Sequence, residues 1–210
     1  MSDISVTIFQ LIVLYASMVV HEVSHGMMAY KLGDPTAKLA GRLSFNPLKH
    51  IDPFGTVMLP LILILFHSPF VICYAKPVPF NSGNFRNVKK GTMLTGLAGP
   101  LSNIFLAVIF GILIRLLGFF GLLSSPLLFF LFVIVFLNLL FAFFNLAPFP
   151  PFDGHHIALS LLSDKFYAIK NFLIRNYLFL MLIWIFFVFP YLFNPIYQLA
   201  LILSGQAAGF

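Results

Sequence analysis

Charge is scarce in this 210-residue chain: 9% of its residues are Asp, Glu, Lys or Arg, and only six are acidic. A soluble domain carries about a quarter charged residues, so an ordinary water-facing surface is excluded. A single cysteine, Cys73, rules out an internal disulfide framework and any thiolate metal cluster. Internal repeats, linkers and low-complexity tails are also missing, which predicts one membrane-embedded domain over residues 1–210. Residues 1–20 lack a basic leader and a small-residue cleavage site, so no cleavable signal peptide is expected.

What the chain has in abundance is apolar surface. Hydrophobic residues make up 60% of it, Phe alone contributes 28, and the mean hydropathy is +1.02. Such a chain is an all-α polytopic membrane protein whose first partner is the lipid bilayer. The net charge of +6 comes from twelve Lys and Arg gathered in short polar stretches. That pattern reports membrane topology and excludes a nucleic-acid-binding surface.

Inside the first apolar run stands His21-Glu22-Val23-Ser24-His25. On a helix, residues four apart lie about 40° from each other on one face, so two imidazoles can grip one metal ion. Glu22 sits beside the open side of that ion. This H-E-x-x-H spacing is that of metal hydrolases in which Glu is the general base. Two histidines and a glutamate can also form a polar seam between helices. The cost of burying ionisable groups in an apolar helix favours the functional alternative.

A helix is expected from about Ile4 to Tyr30, with Ser2 or Asp3 as N-cap. Lys31, Lys38, Arg42 and Lys49 follow it, and they place this loop in the cytoplasm. Phe54–Ala75 is apolar but broken by Pro60 and by His67-Ser68-Pro69, and a second basic stretch comes after it. Further helices are expected over about Thr92–Leu117 and Leu127–Asn145, then a short one to about Leu162. Tyr177–Phe189 reads as another span, with Pro190 and Pro195 breaking it from a short final apolar piece. The core thus occupies about residues 4–160, and the C-terminal membrane segments about 170–204.

A metal held by two histidines needs a third protein ligand and one position open for water. Asp153 follows the helix that ends at Asn145 and is the outstanding candidate among the six acidic residues. It reaches the depth of His21 and His25 only if an odd number of crossings separates the two helices. If Phe54–Ala75 crosses, the number is two; if it re-enters and returns, the number is one. The basic residues on both sides of that segment favour the return. An Asp before Gly is also a favoured helix cap, and ligand and cap are compatible roles. His155 and His156 are expected to be solvated, and His50 and Asp52 to shape the cytoplasmic turn.

With His21-Glu-Val-Ser-His25 and Asn145-Leu-Ala-Pro-Phe-Pro-Pro-Phe-Asp153-Gly154 placed, the chain resembles the site-2 protease family of intramembrane zinc metalloproteases. The short bacterial members, which lack PDZ and CBS domains, are the nearest in pattern. Leu32-Gly-Asp-Pro-Thr-Ala37, Gly41-Arg-Leu-Ser-Phe-Asn-Pro-Leu-Lys-His-Ile-Asp-Pro-Phe-Gly-Thr56, Ala75-Lys-Pro-Val-Pro79 and Ala98-Gly-Pro-Leu-Ser-Asn103 fit the same subgroup. The match covers about residues 15–160. The resemblance implies a three-helix metalloprotease core, one Zn2+ per chain on His21, His25 and Asp153, and Glu22 as catalytic base. It implies cleavage of peptide bonds within or next to transmembrane segments of other proteins. A bacterial cytoplasmic membrane with the site open to the cytoplasm is the expected location.

Asn145, and after it Asn103, are candidates for a second donor to the oxyanion or for a supporting role behind the ligands. A substrate must offer an extended peptide, because a helix hides its carbonyls. Leu39–Asn46 and Lys76–Phe80 are candidate segments for pairing with it. The competing classes are a metal-binding membrane transporter and a catalytically silent binder of membrane helices. Glu22 beside the metal pair, and an outer half almost without polar residues, favour the protease.

Overall fold

The computed structural model describes residues 3–66 and 73–206. Its elements are helical, and four helices among the described residues are long and apolar enough to cross a membrane: Ile4–Lys31, Val88–Phe119, Ser125–Asn145 and Tyr177–Ser204. The protein is a multi-pass membrane protein of all-α class. It divides into two compact units, Met1–Gly99 and Pro100–Phe210.

The first unit begins with helix α1 (Asp3–Lys31). It ends where Gly33 takes a left-handed conformation (φ 108°), and the Asp34 N–H returns to the Ala29 carbonyl at 3.0 Å. Ser2 lies outside the described residues. The one-turn helix α2 (Thr36–Leu39) follows, then a 3-10 turn at Pro47–His50. Asp52 caps the next turn by accepting the N–H groups of Phe54 and Gly55, and His50 is fully buried with Nε2 on the Ser44 carbonyl. Both residues shape the turn, as expected.

Among its described residues the apolar piece after Asp52 has no helix long enough to cross the membrane. A wide turn, Pro53–Met58, leads into α3 (Leu59–Leu65), whose seven residues span about 10 Å against a hydrocarbon core of about 30 Å. The chain then comes back to where it started. The Tyr74 N–H bonds to the Gly55 carbonyl at 3.1 Å, the Thr56 hydroxyl to the Tyr74 carbonyl at 2.8 Å, and the Lys76 N–H to the His50 carbonyl at 2.9 Å. Two ends joined by hydrogen bonds cannot lie on opposite membrane faces, so Gly55 and Tyr74 stand on the same side. His67-Ser68-Pro69 falls outside the described residues.

Residues 42–46 and 73–80 are neither helix nor strand, the Ser44 N–H turns back to the Arg42 carbonyl at 3.0 Å, and no β-ladder forms among the described residues. Pro47, Pro77 and Pro79 have no N–H to give to a ladder. Side chains take the backbone groups instead. Arg42 Nη2 donates to the Lys76 carbonyl at 2.6 Å, and the Asp34 carboxylate accepts the Asn81 N–H at 2.6 Å.

The second unit takes most of α4 (Val88–Phe119), then α5 (Ser125–Asn145), α6 (Gly154–Leu161), α7 (Tyr167–Arg175), α8 (Tyr177–Ile183) and α9 (Phe189–Ser204). Small and branched residues bring its long helices together: Ala107 and Ile114 of α4, Leu131, Val135 and Leu139 of α5, Ile196 and Ala200 of α9. The fully buried Asn103 and Asn138 bridge α4 and α5, Asn103 Nδ2 donating to Asn138 Oδ1 at 3.0 Å. In an apolar bundle such a pair ties helices that water-driven burial cannot.

The prolines near the C-terminus do not break the last span. One helical run extends from Tyr177 to Ser204, interrupted only by a π-turn at Trp184–Val188. The Phe189 N–H reaches the Trp184 carbonyl across that turn, and Pro190 falls in the opening turn of α9, where a missing N–H costs least. Pro195 sits inside α9, a position membrane helices tolerate. Arg115 closes the far end, donating to the carbonyls of Leu203 (2.8 Å) and Ile202, with Gly205 left-handed at φ 77°.

Candidate active site

In the first unit α1 does bring the two histidines together. His21 and His25 are 3% and 7% exposed, and their Nε2 atoms lie 3.0 Å apart. The two rings stand edge to face at 84°. His25 Nδ1 donates to the Thr95 carbonyl at 2.6 Å. A carbonyl only accepts, so the proton of a neutral His25 sits on Nδ1 and its Nε2 lone pair is turned towards His21. Two nitrogens about 2.1 Å from one tetrahedral zinc stand roughly 3.4 Å apart. The pair therefore fits a divalent cation, with its second hydrogen bond already in place.

A glycine makes that pair possible. A Cβ at Gly99 would lie 2.3 Å from His25 Nε2 and 2.6 Å from both Cε1 and Nε2 of His21. Any side chain there would occupy the space in front of the imidazoles. Gly99 is thus the notch in α4 that faces the two imidazoles. The Ala98-Gly99-Pro100 triplet stands out in the sequence as a pattern, whereas the approach of Gly99 to the histidines has no sequence signal.

Glu22 is half-buried, and its Oε2 accepts the backbone N–H of Val78 at 2.7 Å. A second glycine underlies this contact: a Cβ at Gly26 would lie 2.6 Å from Leu43 Cδ2 and 2.8 Å from Val78 Cγ1. Gly26, Thr95, Gly99 and Val78 were all missed from the sequence. The two glycines were visible signals, following His25 directly and preceding Pro100. The carbonyl and the amide carry no sequence signal.

Asp34, fully buried just past α1, anchors the segment that reaches Glu22. Its carboxylate accepts the Thr36 hydroxyl at 2.5 Å, the Thr36 N–H at 3.1 Å, the Asn81 N–H at 2.6 Å and Asn84 Nδ2 at 2.7 Å. Burial pushes its pKa up, but these hydrogen bonds outweigh that and hold the carboxyl below its ordinary value.

Asp153 lies in the second unit, at the entry to α6. Its backbone is helical (φ −61°, ψ −30°), and its side chain makes no capping bond to that helix. The bond expected of a helix-capping Asp is therefore not formed. Buried Phe149 and Phe152 hold the preceding loop against Phe144 and Trp184. A Cβ at Gly154 would come within 2.2–2.4 Å of the Leu146 and Ala147 carbonyls, which fixes Gly as the residue after Asp153. Asn145 Nδ2 donates to the Phe141 carbonyl at 3.0 Å, within its own helix. His155 Nδ1 meets the Phe152 carbonyl at 2.5 Å, and its ring lies against that of His156, centroids 3.7 Å apart and planes tilted by 39°.

Four apolar spans among the described residues define a multi-pass membrane protein, and its first helix carries a buried histidine pair with one committed tautomer. Over 154 residues the chain is 40% identical to YwhC of Bacillus subtilis (strain 168), a protein provisionally named a zinc metalloprotease. The alignment covers 71% of this chain and 67% of YwhC. Rip2 of Mycolicibacterium smegmatis (strain ATCC 700084 / mc(2)155), named in the same way, is 28% identical over 93 residues, 44% of this chain and 34% of Rip2. No family model and no solved structure matches the chain. The chain belongs to the site-2 protease family, whose relatives here carry the name of zinc metalloproteases.

Proposed function

We propose that this protein is an intramembrane zinc endopeptidase that cleaves membrane proteins within or next to their transmembrane segments. The observation that carries the proposal is the pair of facing Nε2 atoms 3.0 Å apart, with His25 Nδ1 spent on the Thr95 carbonyl. His21, His25 and Asp153 are the proposed ligands of one zinc per chain. Two imidazoles and a carboxylate are a ligand set of catalytic zinc sites, which keep a fourth position open. A zinc held by these three residues would supply Lewis acidity to a water and to the scissile carbonyl.

Glu22 takes a proton from the attacking water as the water oxygen bonds to the scissile carbonyl carbon. It then passes the proton to the leaving nitrogen as the C–N bond breaks, giving a carboxylic acid and an amine. Asn145 has spent one amide hydrogen on the Phe141 carbonyl, and its second is the proposed donor to the oxyanion. Asn103, bound to Asn138, plays a supporting part by locking α4 to α5.

The substrate is a transmembrane protein presenting a locally unwound peptide. Both candidate pairing segments already have N–H groups bonded. In Leu39–Asn46, Leu39, Ala40, Gly41, Arg42 and Ser44 give theirs to backbone carbonyls. In Lys76–Phe80 those of Lys76 and Val78 are taken while Pro77 and Pro79 have none, so a pairing substrate relies on the carbonyls of either segment. The site opens to the cytoplasm from a bacterial cytoplasmic membrane, on the side of the basic loops.

The test is Glu22→Gln in the full chain purified in detergent without chelator. Zinc is expected to stay at about one per chain while cleavage falls at least ~100-fold. Cleavage that survives the substitution would overturn the proposal.

A further inference from the structure

We propose that the strap of residues 73–81 is a positioning element for the catalytic base, acting through the backbone N–H of Val78 on Glu22. This rests on the protease function proposed above.

A glutamate on a helix has three rotatable bonds, so a base at this position needs something to hold its carboxylate. Nothing on α1 itself is shown to do so. The Val78 N–H does, at 2.7 Å from Oε2, which fixes one oxygen and leaves Oε1 to receive the proton. The donor is a main-chain group between two prolines, Pro77 and Pro79, whose rings restrict the backbone on either side. The Val78 side chain is 6% exposed and rests in the notch left by Gly26, one turn along α1 from Glu22.

Ties on both sides of Val78 hold the strap, those of Tyr74 to Gly55 and Thr56 among them. Lys76 is bonded on both sides, its N–H to the His50 carbonyl at 2.9 Å and its carbonyl to Arg42 Nη2 at 2.6 Å. Further on, the Asn81 N–H is held by Asp34 at 2.6 Å. The strap is anchored before and after Val78, so the amide is presented to Glu22 by a braced segment. The Ala75-Lys-Pro-Val-Pro79 motif thereby acquires a physical purpose: one amide donor between two residues that have none.

The experiment uses the full chain in dodecylmaltoside micelles, labelled with 15N-valine. The Val78 amide resonance is followed in wild type and in Glu22→Ala, in which the acceptor is gone. An upfield move of the Val78 amide proton in Glu22→Ala is expected. In parallel, Val78→Pro removes the N–H and Val78→Ala keeps it. Cleavage is read on a synthetic membrane-spanning peptide with a Gly-rich break at its centre. Val78→Pro is expected to lower kcat by ~10- to 100-fold with KM and zinc content nearly unchanged, the scale of a small misplacement of a catalytic group. Val78→Ala is expected to recover most of that loss.

A Val78 resonance indifferent to Glu22→Ala overturns the inference, whether or not Val78→Pro folds. So does a Val78→Pro protein that loses zinc and thermal stability in step with activity, since that is the behaviour of a purely structural strap. Wild-type protein that holds zinc, shows the resonance shift and cleaves nothing would instead overturn the protease function, and the strap's catalytic role with it.

Discussion

His25 points its Nδ1 at the backbone carbonyl of Thr95 across 2.6 Å, and this one contact decides which face of the imidazole is available for chemistry. Because the acceptor is main chain, substitution of the Thr95 side chain leaves it in place. The tautomer is set by the packing of α4 against α1, and the residue that controls that packing is Gly99.

Gly99→Ala therefore tests the proposed metal centre without changing a proposed ligand. The added methyl group would lie 2.3 Å from His25 Nε2 and 2.6 Å from His21 Nε2. Zinc affinity is expected to fall by ~10- to 100-fold, the range seen when the surroundings of metal-bound histidines are disturbed. Helix content by far-UV circular dichroism should stay as in wild type. Zinc content equal to wild type would show that the ligands lie elsewhere.

Asp153→Ala tests the third ligand. Wild type purified without chelator should hold about one zinc per chain, and the variant should hold much less. Full retention of zinc would assign the third ligand to another residue.

Asp34 carries a pH dependence whose sign follows from its hydrogen bonds. Its carboxyl is held below the ordinary value, so the unfolded chain binds the proton more readily than the folded one. The stabilisation is fully present above the unfolded value of about 3.9 and is lost as pH falls through the lower folded value. Thermal unfolding in detergent should show wild type more stable than Asp34→Asn at pH 6. The gap should close progressively below about pH 4. A gap that widens on acidification would contradict the assignment.

The Asn103–Asn138 pair should be worth ~0.6–2 kcal/mol between helices in an apolar setting. Asn103→Leu leaves Asn138 buried without that partner and is expected to cost more stability than the double change to Leu at both positions. A double-mutant cycle on detergent unfolding measures the difference.

Much of the frame could be read before the structure. The ends of α1, α4, α5 and α6 fall within a few residues of their expected places, because apolar runs bounded by Pro, Gly and basic residues leave little freedom. The returning segment after Asp52 was legible from its two basic flanks. His21, Glu22 and His25 stood out because ionisable groups are rare in an apolar helix. Gly26, Thr95, Gly99 and Val78 were not legible, since each acts through distance to another element and not through a side chain with chemistry of its own. Pro190 and Pro195 misled for a related reason: in water they would end a helix, but in a chain this apolar the backbone has no better partner than its own carbonyls.

The π-turn at Trp184–Val188 gives the final span a rotational offset. One extra residue in a turn advances the helix by about 100°. Before the turn, Leu180, Met181 and Trp184 face the aromatic cluster around Phe149 and Phe152; after it, Leu192, Ile196 and Ala200 face α5. A uniform helix has only one stripe to offer, and here a single rod supplies two. Removing one residue between Trp184 and Val188 would restore regular winding and turn Ile196 and Ala200 out towards lipid, uncoupling the loop that carries Asp153 from the bundle behind it.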